Sequence, residues 1–293
     1  MHTRFLGTLV LFTVLAATAH AATYVVSPTG SDANPGSSVK PFQTIDKAAQ
    51  TAQAGDTVIV KAGTYREAVH LRHSGTAEAP ITFVAQPLGS VTISGTDPLM
   101  GWTKVSVNAP IYKASWDHVF AIDYHDGKPV ESHPEDEPLW GRAEQVVADG
   151  KQLLPTLGLE GLSKAWLEYA RHAKTGSTTV PSPLPGLGGT FGGWFAVDTA
   201  QKTMYVWLAD GSDPTTHKIE AATRGQTFGV NQWESKDGVQ YVHVRGFRFQ
   251  YGASFPQRPV VSLHGQHNIM ENCLIEDMSG TGVGVGGILR HCV

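Results

Sequence analysis

Cysteine, charge and long apolar runs are all scarce in this sequence. Two cysteines among 293 residues, Cys273 and Cys292, exclude a disulfide-stapled scaffold, so the chain must be held together by its core. A hydrophobic content of 41% is enough to build one. Charged residues make up only 16%, and 22 basic against 26 acidic side chains leave a net charge of −4. There is no basic field for nucleic acid or an anionic membrane surface. Nor do the aspartates show the spacing of a dedicated Ca²⁺ loop: Asp32-Ala33-Asn34 lacks the rest of that pattern and reads as an Asx turn. The glycine run over residues 280–287 lacks the Lys-Ser/Thr and the following helix of a phosphate loop. It reads as a tightly turning coil with small residues where backbones approach.

What is abundant is glycine, 32 residues, which with the low charge favours turn-rich β structure over helical bundles. The first 21 residues read as a secretory signal: Arg4 precedes an apolar run over residues 5–17, and Ala19-His20-Ala21 supplies a small-x-small cleavage site. A helix of that length rises about 20 Å, short of the ~30 Å needed to span a bilayer. The expected mature protein is exported, secreted or periplasmic, with no membrane contact after cleavage.

Residues 22–96 open with the strand-like Thr23-Tyr24-Val25-Val26 and a turn-rich stretch at 30–36. Phe42, Ile45, Ala48, Ala49 and Ala52 then fall at helical spacing, with Gly55 where a C-cap belongs. Short β-rich runs follow at 57–60, 68–71, 81–84 and 91–93. One amphipathic helix followed by brief strands fits a sandwich or a capped solenoid. The tail favours the solenoid. Residues 244–249, 270–275 and 289–293 share one pattern, and their central positions Gly246, Asn272 and His291 lie 272 − 246 = 26 and 291 − 272 = 19 apart. Cys273 and Cys292 occupy the same place in two copies. Stacked strands lie ~4.8 Å apart, wider than the ~3.8 Å between the Cβ atoms of a disulfide, so two buried free thiols are expected.

Residues 97–237 differ in texture, holding all seven tryptophans, and read as an inserted domain. Strands are expected at 119–122, 145–148, 194–197 and 204–208, with hairpin turns at Asp126-Gly127 and Asp149-Gly150. A short helix is expected over 162–173 and a long loop over 175–193. Most of the tryptophans should be core, and the rest are the best candidates for covering the C–H face of a sugar. The acidic run over 131–137 reads as a solvated loop.

Residues 23–67, with the stretches 26–36, 40–45 and 55–67, resemble the N-terminal cap of secreted right-handed parallel β-helix proteins, the pectate-lyase-like superfamily. Residues 101–104, 144–151 and 207–214 resemble the β-sandwich insertion of a subset that includes β-xylosidase-type glycoside hydrolases. The resemblance implies an all-β chain: a helix-capped β-helix over 22–96, an inserted β-sandwich over 97–237, and a continuing but incomplete β-helix over 238–293. It implies an exported carbohydrate-active protein that degrades polysaccharide or oligosaccharide by glycoside hydrolysis. In such families the coils continue further and carry the catalytic groups, so these are expected beyond Val293, and this chain is read as an incomplete piece without its own active site.

The residues themselves offer groove candidates. Retaining hydrolysis needs two carboxylates ~5 to 5.5 Å apart. Glu276 and Asp277 are adjacent, so on a strand they face opposite ways, and Glu271 and Glu276 also have opposite-face spacing unless a turn intervenes. A uronate lyase needs a base, with Ca²⁺ or Arg against the substrate carboxylate, and Arg258, His264 and His267 lie near the first coil after the insertion. No cofactor or metal is expected for a hydrolase, and Ca²⁺ enters only for a lyase. A non-catalytic carbohydrate-binding or surface protein is the reading of a different class.

Overall fold

The computed structural model describes residues 21–118, 123–125, 128–130, 145–174, 191–230, 235–253 and 259–293. Three parallel sheets wind around one core. The first face stacks Thr23–Val26 and residues 57–61, 81–86, 242–245, 268–271 and 287–290. The second stacks residues 63–65, 91–94, 247–250 and 274–276. The third stacks Val69–His70 and residues 228–230, 261–263 and 283–285. The chain visits the third, first and second face in turn and then begins the next coil, which makes this part a parallel β-helix.

Strand alternation decides what enters the core. Val58, Phe83, Val244 and Met270 form one inward column, Tyr65, Ile93, Phe249 and Ile275 a second, and Val69, Phe228, Val261 and Val283 a third. Most of these side chains are buried, each contributing roughly 1.5–3 kcal/mol. Phe228 packs edge-on against Phe83, with ring centroids 5.6 Å apart.

The three tail copies are successive rungs of this stack, and their central residues share one corner. Gly246, Asn272 and His291 all take left-handed backbone, with φ 73, 53 and 52°. A single residue of this kind turns the chain from the first face to the second; glycine does so without strain and asparagine tolerates it. Cys273 and Cys292 follow their corners as free thiols. Cys273 is buried and burial pushes its thiol up to about 12, whereas Cys292, on the last coil, is only half-buried. The expectation of two buried thiols therefore holds for the first alone, the second being covered by no rung among the described residues.

The cap helix is Ile45–Thr51, started by the Thr44 hydroxyl accepting from the Lys47 N–H. It ends at Ala52, whose N–H reaches the Ala48 carbonyl, so Gly55 is a turn residue beyond the cap. Asp32 makes no Asx turn. Its carboxylate reaches across to accept from the Gln43 and Thr44 N–H groups and the Thr44 hydroxyl. Glu67 accepts from the Ile45 and Asp46 N–H groups, satisfying two donors at the helix start.

Residues 81–84 and 91–93 belong to one strand, Ile81–Ser94, that bends from the first face to the second. The chain leaves the coils at Gly95 and returns at Thr223, whose N–H bonds the Gly95 carbonyl at 2.8 Å. Between these points it builds an eight-stranded sheet in the order Thr96–Pro98, Ile219–Ala222, Val146–Ala148, Lys151–Thr156, Gly193–Asp198, Thr203–Leu208, Ala109–Ser115 and Thr103–Ser106. One face buries Trp102, Trp116, Phe195 and Met204. The other buries Trp194 and Trp207, stacked at 4.2 Å, beneath the helix Gly158–Lys174, which runs longer than the 162–173 expected. Residues 283–290 form a strand where a turning coil was expected, though the close backbone approach is there: a Cβ on Gly286 would lie 1.8 Å from the Gly265 oxygen. The strand expected at 119–122, the Asp126-Gly127 turn, the acidic run at 131–137, Trp140, Trp233 and most of the loop at 175–193 lie outside the described residues.

Candidate functional site

The outward side of the second face is where the β-helix meets the eight-stranded sheet. The register runs Ser94, Gln250, Glu276 in one column and Thr92, Arg248, Leu274 in the next. Gln250 donates to Glu276 Oε1 at 2.6 Å, and Arg248 Nε reaches the same oxygen at 3.0 Å. Ser94 is buried and exchanges a 2.8 Å hydrogen bond with Thr96, where the second sheet begins. The column thus runs from a covered end at Ser94 to an open one at Glu276.

Strand alternation in the second sheet turns Gln145, Val147, Glu220 and Ala222 to one side. From that side Glu220 pairs with Arg66 of the β-helix and with Lys218 at 2.9 Å. Burial works to raise the Glu220 carboxyl, but these two cations outweigh it and hold it below the usual range. Gln145, buried, donates its amide to the Asp277 carbonyl at 2.6 Å. The contact between the two parts therefore carries Arg248, Gln250 and Glu276 on the β-helix side and the buried Gln145 and Glu220 on the other, with Tyr251 and Asp277 at its corner.

Glu276 ends its strand and Asp277 has left it, with φ 55°. Alternation consequently does not separate the two carboxyl groups. Both bear on the Tyr251 hydroxyl, which burial first, and then the charges of Asp277, Glu220 and Glu276, hold above its usual range. Asp277 is itself raised by burial and by the Glu276 charge.

The other candidates lie elsewhere. Glu271 sits on the first face, gripped by Arg245 at 2.5 Å and Arg290 at 2.6 Å, and it shares no ion-pair partner with Glu276 among the described residues. His264 reaches the Lys236 carbonyl at 3.0 Å, and His267 stacks on Tyr241 at 4.7 Å; both stand at the turn from the third face to the first. Arg258 lies outside the described residues. Among the described residues no three His, Cys, Asp or Glu side chains converge to hold a metal ion.

Sequence reasoning missed Gln250 and Tyr251, although the 26-residue offset between copies places them under Glu276 and Asp277. It also missed Arg66, Gln145 and Glu220, and no local signal marks them: Arg66 and Glu220 are 154 positions apart.

A family described as a protein of unknown function (DUF1565) matches residues 28–73. The uncharacterized protein YwoF of Bacillus subtilis is 49% identical over 70 residues, 24% of this chain and 15% of that one. Pectate lyase PEL9 of Emericella nidulans is 39% identical over 79 residues, 26% of this chain and 19% of that one. Among solved structures, XylC in complex with xylose overlays 87% of this chain with a TM-score of 0.63 at 21% identity. A protein titled glycoside hydrolase overlays 93% with a TM-score of 0.60 at 14% identity. The chain spans 40% of the first of these and 65% of the second, and under a fifth of the curated relatives. The structural likenesses show the fold, a parallel β-helix.

Proposed function

We propose that this chain is the N-terminal part of an exported carbohydrate-active protein that hydrolyses glycosidic bonds of a polysaccharide or oligosaccharide. Its sugar chain lies in the groove between the second face and the eight-stranded sheet, which we read as an inserted β-sandwich. The observation behind this reading is that the charges of Asp277, Glu220 and Glu276 all act on the Tyr251 hydroxyl, beside the Gln250–Glu276–Arg248 cluster of the second face. Such a site offers acceptors for sugar hydroxyls along a column that further coils would extend.

The charge of the groove favours a neutral glycoside over a polyuronate. Arg66 and Lys218 pair with Glu220, and Arg248 pairs with Glu276. That leaves the Asp277 carboxylate over and no spare cation among these residues to receive a uronate. The match to a pectate lyase over 79 residues favours elimination as the second reading.

The test is calorimetry of the purified chain with xylo-oligosaccharide and with oligogalacturonate, beside an aryl-xyloside turnover assay. Saturable binding of the neutral sugar with negligible turnover is expected, the remaining catalytic groups lying on later coils. Preference for oligogalacturonate would support the lyase reading, and rapid turnover would place the whole active site within these residues.

A further inference from the structure

A pocket lies on the eight-stranded sheet. It has a volume of about 130 Å³ and is lined by Asp149, Lys151, Phe191, Asp210 and His217 beside the backbone at Gly192. A chain of hydrogen bonds ties its two carboxylates together. Asp149 Oδ2 bonds His217 Nδ1 at 2.7 Å, His217 Nε2 bonds the Ser212 hydroxyl at 2.7 Å, and that hydroxyl donates to Asp210 Oδ1 at 2.5 Å. The Lys218 N–H donates to Asp149 Oδ1 at 2.8 Å and the Ser212 N–H to Asp210 Oδ1 at 3.0 Å.

Each bond fixes a carboxylate without exhausting it. Both bonds to Asp210 fall on Oδ1, so Oδ2 keeps its lone pairs, and each Asp149 oxygen retains one. The His217 bond and the Lys218 N–H hold the Asp149 carboxyl below its usual range, and the Ser212 hydroxyl and N–H do the same for Asp210. Lys151 is exposed and adds an ammonium donor whose charge also helps to lower the Asp149 carboxyl. Phe191 contributes an aromatic ring.

We infer that this pocket is a second sugar-binding subsite, taking one neutral pyranose unit. Charged acceptors held rigid by their own hydrogen bonds suit the vicinal hydroxyls of a sugar, because a charge-assisted O–H···O⁻ bond is strong and little ordering remains to be done on binding. Ser212 does not line the pocket, so the Ser212–His217–Asp149 chain positions the carboxylates and is not read as a nucleophile. The inference rests on the carbohydrate reading above, but it concerns a different surface.

The test is titration of methyl β-D-xylopyranoside into the ¹⁵N-labelled full chain, following backbone amides, with CaCl₂ as a parallel probe. Saturable shifts at Lys151, Gly192 and Asp210 are expected, weakened at least fivefold by Asp210→Asn and by Lys151→Ala, while shifts at Tyr251 and Asp277 stay as in the wild type. Lys151 is exposed, so its replacement leaves the fold intact. Still pocket amides beside moving groove amides would overturn this inference and leave the proposed function standing. The reverse pattern would remove the groove and keep the pocket. A response to CaCl₂ alone would make it a cation site and overturn the inference.

Discussion

Tyr251 and Asp277 stand at the same corner of successive coils, one residue past the register pair Gln250 and Glu276, and both take left-handed backbone, φ 58 and 55°. A bulky aromatic is uncommon there, and such strain clusters where a side chain must be aimed. Here the two corners bring the Tyr251 hydroxyl under the charges of Asp277, Glu220 and Glu276, which together with burial hold it above its usual range.

Asp277→Asn keeps a residue type that tolerates this backbone and removes the charge. It should lower affinity for a neutral xylo-oligosaccharide about tenfold, the loss of one charge-assisted hydrogen bond. Thermal stability should hold. Calorimetry beside a melting curve checks both, and unchanged affinity would take Asp277 out of the groove.

Asn268 is buried at the turn from the third face to the first. Its Oδ1 accepts from the Val242 N–H at 3.0 Å, and its amide donates to the Val239 and Leu263 carbonyls at 2.9 and 3.2 Å. Asn268→Leu would strand three buried backbone groups, at about 1–3 kcal/mol each before relaxation. Urea unfolding should show a loss of roughly 3 kcal/mol or more, and a loss under 1 kcal/mol would mean that the turn holds without it.

Gly229 separates steric clash from backbone strain. Its φ is 114°, and a Cβ would lie 1.8 Å from the Ser262 oxygen of the next rung, whereas at Gly101, φ 81°, a Cβ meets nothing within 4 Å. Gly101→Ala should cost about 1 kcal/mol from φ alone. Gly229→Ala should cost several times more and lower expression of folded protein. Equal melting temperatures for the two variants would contradict the tight stacking of the third face.

Glu67 gives the fold a pH dependence. Burial pushes its carboxyl up to about 7, against the pull of the Ile45 and Asp46 N–H groups, and the charges of Asp46 and Asp32 add to the rise. An unfolded glutamate titrates near 4.5. Between these values the native state binds the proton more tightly, so this residue's contribution makes stability fall as pH rises from about 4.5 to about 7 and level off above. Denaturant midpoints across that window, compared with Glu67→Gln, should show this slope in the wild type and its absence in the variant.

The coil pattern was legible because it is local. The copies centred on Gly246, Asn272 and His291 repeat one corner, and each corner needs only a residue that accepts left-handed backbone between two alternating strands. The cap helix was readable from its apolar spacing, but its end was not: Gly55 looked like the cap because glycine favours that place, while the Ala52 N–H had already closed the last turn. Glu276 and Asp277 were separated by the alternation rule, which applies inside a strand and lapses one residue past its end.

The sequence by itself determined that this chain winds its strands around an apolar core, since side-chain alternation and turn residues act between near neighbours and are written in the order of the residues. Only the tertiary structure decided what the groove contains. Arg66 meets Glu220 and Gln145 meets Asp277 because a second sheet leaves at Gly95 and returns at Thr223 to lie against the second face. Contacts across 154 and 132 positions follow from that docking and from nothing periodic in the chain.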